Sequence, residues 1–289
     1  MHEQLIINGI ISGSMYALIA IGYTMVYGIG RFVNFAHGEL FLAGAFIYYA
    51  LHSQLGIPLV LSLILAVLSV SMMGIIVERV AFKPFRDANQ FIPLINTIGI
   101  SVILQSTFQV IFGVDSKTLR IAQNVSEGLH FGSIIITPVQ IGIVVTSIIV
   151  FLLLLLFLNK TRMGKAIRAT AEDREIASVL GINVNRTITA TFALGSGLAA
   201  VAGILMGYDQ DFSPTIGSIT GIKAFTAAVL GGIGSVPGAA LGGVLIGLLE
   251  SYLAFYISSG YKECLIFVIL LLLLFFRPQG LLGKKLGRF

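Results

Sequence analysis

A chain of 289 residues that is 56% hydrophobic and only 11% charged holds less than half of the roughly 25% charged residues that a soluble domain uses to cover itself. Its mean hydropathy is +0.97, and its apolar stretches are long enough for bilayer-spanning helices of about 20 residues. Soluble, collagenous, disordered and disulfide-stapled classes are excluded, since Cys264 is the lone cysteine. The net charge of +5 sits between the apolar stretches, which is a topology signal rather than a nucleic-acid footprint.

Taken in chain order, apolar runs predict spans over 5–27, 32–51, 57–77, 91–113, 138–158, 187–207, 221–234, 237–257 and 262–276. Nothing basic precedes the first run and no small-residue cleavage site follows it, so it reads as a retained span. The expected fold is an all-α polytopic membrane protein of about nine transmembrane helices. Placing the 159–186 loop in the cytoplasm puts fourteen of the eighteen Lys and Arg residues inside, with the N-terminus outside and the C-terminus cytoplasmic. A long outer connection runs over 114–137.

Within the inner loop, residues 165–180 (KAIRATAEDREIASVL) are rich in helix formers, with Gly181 placed as a C-cap after Leu180. Such a helix either lies on lipid or docks a cytoplasmic partner. Acidic Glu172, Asp173 and Glu175 favour docking, because a lipid-surface helix prefers a basic polar face.

A shift of 184 residues lays Ser12-Gly13 on Ser196-Gly197 and Glu39 on Lys223. With four spans on each side of a fifth, the halves run in opposite orientations. The expected organisation is a single transmembrane domain with two inverted four-helix repeats (5–113 and 187–276) around a linking helix at 138–158, a cytoplasmic loop at 159–186 and a tail at 277–289. Glycine pairs four apart (Gly9/Gly13, Gly203/Gly207, Gly238/Gly242, Gly243/Gly247) predict close helix packing within the subunit. The stretch 231–238, containing Gly232 and Gly234, is too glycine-rich for regular helix, and broken backbone in a membrane survives only when buried or lining a cavity.

Glu39, placed near the middle of the second span, and Glu250, near the middle of the eighth, are charges in the wrong solvent. Each costs on the order of 2.5–3.5 kcal/mol on insertion scales and marks either a pathway or a buried pair. Three readings of Glu39 stand open: an ion pair with Lys223, a place on the translocation path, or a protonated carboxyl donating to a neighbouring helix. Glu250 has the alternative of bonding between helices. His37 and Glu39 do not make a metal site, since no further ligands stand at metal-binding spacing. The chain lacks a P-loop: Gly164-Lys165 is followed by Ala166 and Gly283-Lys284 by Lys285. Any pumping must draw on an ion gradient or on a partner.

Four stretches carry a resemblance: YTMVYGIGRFVNFAHGELFLAGA over 23–45, TRMGKAIRA over 161–169 continuing through Glu172-Asp173 to Gly181, AAVLGGIGSVPGA over 227–239, and FRPQGL over 276–281. Together they resemble the LivH-type permeases of branched-chain amino acid ABC importers. The resemblance implies a subunit that is not itself an enzyme and binds no cofactor, with ATP and Mg at partner ATPase subunits. It implies a homologous second permease of the LivM type, two cytoplasmic ATPases and a periplasmic amino-acid-binding protein. Membrane lipid surrounds the whole, and nucleic acid has no place in it.

On that basis the path candidates are Asn34, His37, Glu39, Lys223, Gly232, Gly234 and Glu250. The ATPase-coupling candidates are Gly164, Arg168, Glu172, Asp173, Leu180 and Gly181. The expected substrates are leucine, isoleucine and valine, carried across the bacterial inner membrane by alternating access. The alternatives are a related permease for other amino acids, amides or urea, and an ion-coupled secondary transporter.

Overall fold

The computed structural model describes residues 2–85, 91–119, 128–131, 134–257, 260–277 and 279–283. Parts of the outer connection, including Arg120, and the tail lysines Lys284 and Lys285 lie outside the described residues.

Among the described residues the chain folds as eleven α-helices: α1 (His2–Gly30), α2 (His37–Tyr49), α3 (Leu59–Val77), α4 (Phe91–Phe112), α5 (Pro138–Lys160), α6 (Arg162–Glu172), α7 (Arg174–Val179), α8 (Val184–Asp209), α9 (Ile216–Gly231), α10 (Val236–Tyr256) and α11 (Lys262–Phe276). Between α4 and α5, β1 (Leu129–Phe131) and β2 (Ile134–Ile136) pair antiparallel, which the apolar periodicity does not announce. Among the described residues six helices are long and apolar enough to cross a membrane: α1, α3 with its extension to Phe85, α4, α5, α8 and α10. The chain is a polytopic, all-helical membrane protein.

Capping side chains set many of the helix starts. Thr137 and Gln140 form a capping box at α5, with Pro138 in the first turn. Thr161, Asn183 and Ser235 accept backbone N–H groups at the starts of α6, α8 and α10.

Two expected spans and the expected loop helix differ from the helices found. The run expected over 32–51 is not helical until His37. Arg31 takes a positive φ of 60° there, and Asn34 accepts the Ala36 N–H at 3.2 Å, so the side chain builds a turn. Glu39 therefore sits in the first turn of α2, not mid-span. The seventh run, expected over 221–234, begins earlier at Ile216 and stops at Gly232, whose φ of 109° suits only glycine. The single inner helix expected over 165–180 breaks at Asp173 (φ −151°, ψ 120°), which ends α6 and caps α7 by accepting the Ile176 N–H at 2.9 Å.

α1 and α8 are the inner pair, with 67% of their apolar windows buried against 17% for α4 and 22% for α5. α1 lies along α10, and α3 lies along α8. A Cβ on Gly13 would come 2.8 Å from Val244 Cα, and one on Gly197 would come 2.8 Å from Ser71 Oγ. The glycine pairs thus serve close approach within the subunit, as lipid supplies no hydrophobic drive for helix association.

The segment after α11 turns back onto α9. Leu281 and Leu282 donate their backbone N–H groups to the Leu230 and Gly231 carbonyls, both at 2.9 Å. These are end-of-helix acceptors that α9 cannot satisfy internally. Gly280 makes the turn at φ 70°, where a Cβ would lie 2.5 Å from the Val229 carbonyl oxygen. Gly280→Ala is expected to cost about 1–3 kcal/mol and to lower the melting temperature of the solubilised protein. An unchanged melting curve would contradict this reading of the tail.

Candidate functional site

A cavity of about 480 Å³ opens among α1, α2, α8, α9 and α10. It lies at the end of the bundle that holds the start of α1 and the close of α8, with Asn8, Gln210 and Ser213 on its wall. Its volume falls in the range of about 300–1,000 Å³ usual for small-molecule sites. Its wall mixes the apolar side chains of Met15, Ile19, Phe41, Met206 and Ile219 with the polar ones of Ser12, Tyr16, Thr220 and Ser251.

Two charged side chains also reach this wall. Lys223 of α9 donates from Nζ to Glu250 Oε1 of α10 at 2.8 Å, and Tyr16 of α1 donates to Glu250 Oε2 at 2.6 Å. The two charged side chains keep 10% and 11% of their surface, enough to touch the cavity and no more. The pairing of Lys223 with Glu39, one of the sequence-based readings, is thereby corrected. Lys223 belongs to the α9–α10 hairpin, and its neighbour in that hairpin outcompetes the residue equivalent to it by sequence shift.

Glu39 is fully buried on another side of α9. Its Oε1 accepts Ser218 Oγ–H at 2.6 Å and Ser101 Oγ–H at 3.3 Å, linking α2 to α9 and α4. Gly217 leaves room for Oε2, since a Cβ there would come within 2.7 Å of it. A carboxylate in the first turn of a helix also gains from the helix dipole. Two hydroxyl donors to Oε1 and a helix start offset part of the cost of its burial, while Oε2 is buried with no hydrogen-bond partner among the described residues.

The remaining path candidates separate. His37 is buried, with its ring edge-on to Tyr23 at 4.5 Å between centroids and filling the space left by Gly22. Asn34 shapes the turn before α2. Gly232 and Gly234 lie at the far end of α9 from the cavity and carry the break between α9 and α10, with φ of 109° and 93°. The structure therefore brings Lys223 and Glu250 together on the cavity, sets Glu39 beside α9, and leaves the two glycines at the opposite end.

At that opposite end, α6 and α7 lie against the bundle. Gly164 packs the start of α6 onto the end of α5, where a Cβ would strike Leu158. Gly164, Ile167 and Thr170 are buried on one face, while Arg168 and Glu172 are exposed on the other. Ile176, Val179 and Leu180 form an exposed apolar tip, with Val179 88% exposed. Gly181 at φ 81° and the Ile182 N–H bond to the Ala177 carbonyl at 3.0 Å close α7 in a Schellman arrangement. From the first turn of α7, Arg174 donates to the Ile29 carbonyl at the end of α1. A cleft of about 560 Å³ separates the two elements, lined by Gly28, Arg31, Phe85, Glu172 and Glu175 among others.

Sequence reasoning misses Tyr16, Ser101, Ser218 and Arg174. It also leaves Glu78 at a span end, although Glu78 is fully buried and accepts from Thr189 at 3.1 Å. Hydroxyls scattered through apolar runs give no signal of which carboxylate they face. For Arg174, an aspartate followed by a short apolar helix is a capping signature that marks the break.

Comparison with known proteins places this geometry. The family model described as "Branched-chain amino acid transport system / permease component" matches residues 5–274. The chain is similar to the high-affinity branched-chain amino acid transport system permease protein BraD of Pseudomonas aeruginosa, at 45% identity covering 98% of this chain and 96% of BraD. It is similar to the LivH permease protein of Escherichia coli at 42% identity, covering 97% and 95% of the two chains. Among solved structures, PsaBC from Streptococcus pneumoniae in complex with Fab shares the fold, with a TM-score of 0.52, 13% identity and coverage of 93% and 90%. The family match spans nearly the whole length and includes the first three stretches quoted above, so this chain belongs to the family of branched-chain amino acid transport permease components.

Proposed function

We propose that this chain is the permease subunit of an ATP-driven importer that carries leucine, isoleucine and valine across the bacterial inner membrane. The observation that carries the proposal is the end-to-end similarity to permeases named for that transport, joined to a cavity that holds one buried cation–anion pair among apolar and uncharged polar side chains.

Opposed termini need an odd number of spans, and nine result when α2, α9 and α11 cross beside the six long helices. The α1–α10 and α3–α8 contacts support two inverted halves. Exchanging α1 with α8 and α3 with α10 carries the α1–α10 contact into the α8–α3 contact. In this topology the N-terminus is outside, the 480 Å³ cavity faces outward, and α6 and α7 lie in the cytoplasm. α6 and α7 would receive the two ATPase subunits, with Arg168, Glu172 and the apolar tip around Leu180 as the docking surface. ATP and Mg act at those partners, and this chain needs no cofactor. A homologous second permease completes the path, and a periplasmic binding protein delivers the amino acid.

Alternating access then means that the inner pair α1 and α8 rocks within the outer helices. Arg174 ties α7 to the end of α1, giving the ATPases a handle on a helix that lines the cavity. The Glu39 knot holds α2, α4 and α9 together during that movement.

The test is labelled-leucine uptake by vesicles holding the full assembly, with valine and an amide as competitors. Valine should compete and the amide should not. Glu39→Gln leaves one carboxyl oxygen as acceptor and introduces an N–H₂ against Gly217, so uptake should fall at least about tenfold, a loss of roughly 1.4 kcal/mol of transition-state stabilisation. Unchanged uptake and assembly in Glu39→Gln would remove Glu39 from the mechanism.

A further inference from the structure

We propose, building on the transport reading above, that the Lys223–Glu250 pair is itself the permease's recognition site for the amino-acid head group. Lys223 takes the substrate carboxylate and Glu250 takes its ammonium.

The pair is poorly explained as a structural bond. Elsewhere this chain joins helices within the membrane by hydroxyl hydrogen bonds: Ser251 of α10 donates to the Leu5 carbonyl at 2.8 Å, and Thr189 of α8 donates to Glu78. Replacing a buried ion pair by apolar residues is often neutral or stabilising, so packing alone gives little reason to keep two charges here. Charges held inside a membrane face a cavity or a partner and mark pathways. These two do both, since each meets the other and both line the cavity.

The cavity's chemistry matches one class of ligand. A zwitterion brings one positive and one negative group on neighbouring atoms, and this site offers one of each, 2.8 Å apart. Inserting the zwitterion exchanges one ion pair for two, and the net charge of the site stays at zero throughout. A lone amine or a lone carboxylate would leave one protein charge without an opposite charge inside the membrane.

The two partners are also unequal. Glu250 is held at Oε2 by Tyr16 at 2.6 Å, which orients the carboxylate and leaves Oε1, now bonded to Lys223, to receive the ammonium. Lys223 carries its charge on a flexible four-carbon stem and can swing aside to admit the ligand. Met15, Ile19, Met206 and Ile219 then surround the substrate side chain, with methionine adapting to branched shapes. Because the empty site satisfies itself, substrate must displace an existing bond. Binding is therefore weak, as a transport path requires for release.

The experiment uses the purified permease–ATPase assembly without its binding protein, so that recognition by this chain is read directly. Saturation-transfer NMR compares leucine with 4-methylpentanoate, which lacks the ammonium, and with 3-methylbutylamine, which lacks the carboxylate. The expected result is leucine binding in the millimolar range, with each analogue at least tenfold weaker. Lys223→Met, Glu250→Gln and the double variant should all lose leucine binding, and gel filtration checks that each assembly is intact.

The double variant separates the two roles. A merely structural pair predicts failure of the singles, each with a stranded charge, and recovery of the double. Binding and leucine uptake restored in the double, or analogues that bind as well as leucine, would overturn the site while leaving leucine transport intact. Absence of binding by any amino acid would overturn it as well. A different amino acid that binds in the same charge-dependent way while leucine does not would uphold the site and overturn the branched-chain assignment.

Discussion

Gly247→Val is expected to leave little folded permease in the membrane. Gly247 of α10 lies against the backbone of α1, where a Cβ would strike Gly13 and the Gly9 carbonyl oxygen. The same seam holds Gly243 on Ala17 and Gly13 on Val244. Backbone cannot swing away as the end of a side chain can, so a β-branched residue must push the two helices apart. Overpacking typically costs about 1–3 kcal/mol and more where nothing can yield. In lipid the separated surfaces gain nothing from burial elsewhere, because the seam is held by close packing. A loss of about 1–2 kcal/mol already changes abundance several-fold. Membrane-fraction abundance measures the effect, with Gly142→Val as control: a Cβ on Gly142 of α5 meets nothing within 4 Å. Equal abundance of the two variants would contradict the packing described for α1 and α10.

The second large effect concerns the coupling helices. Reversing Glu172 and Asp173 together to lysine is expected to abolish ATPase co-purification and transport while leaving the permease inserted. The structure shows that two effects are mixed in that double change. Glu172 is an exposed charge, whereas Asp173 caps α7 through its bond to the Ile176 N–H. Loss of an N-cap costs about 0.5–2 kcal/mol, enough to loosen a helix of six residues. Asp173→Asn keeps the accepting oxygen and removes the charge. Glu172→Lys alone and Asp173→Asn alone therefore separate docking charge from helix integrity. Co-purification should fall with Glu172→Lys, stay near the original level with Asp173→Asn, and fall again with Asp173→Ala. Normal ATPase recovery in the double lysine variant would move the docking surface elsewhere.

Much of this architecture is legible from the residues, and the failures share a cause. The bounds of α11 match the apolar run that announces it, and Pro138 with its threonine cap marks the start of α5. Lys223 and Glu250 stand out because a membrane interior makes any charge conspicuous. What the residues do not reveal is who faces whom. The 184-residue shift puts Glu39 opposite Lys223 in an alignment, yet a twofold relation between positions does not make them touch. Lys223 finds its acid one helix further along the chain. The start of α2 is misplaced because Phe32, Val33 and Phe35 are apolar and read as span, while the turn rests on the backbone of Arg31 and the Asn34 side chain. The break at Asp173 is missed because helix formers flank it on both sides. Tyr16 is one tyrosine of nine until the fold sets it beside Glu250.

The most direct test of import driven by ATP is labelled-leucine uptake into proteoliposomes that hold this chain with its partner permease, the two ATPases and the binding protein. ATP is placed on the face carrying α6 and α7, and ion gradients are collapsed with ionophores. The account predicts leucine accumulation that requires both ATP and the binding protein and that valine competes away. Accumulation that persists without ATP and follows a proton or sodium gradient would contradict it.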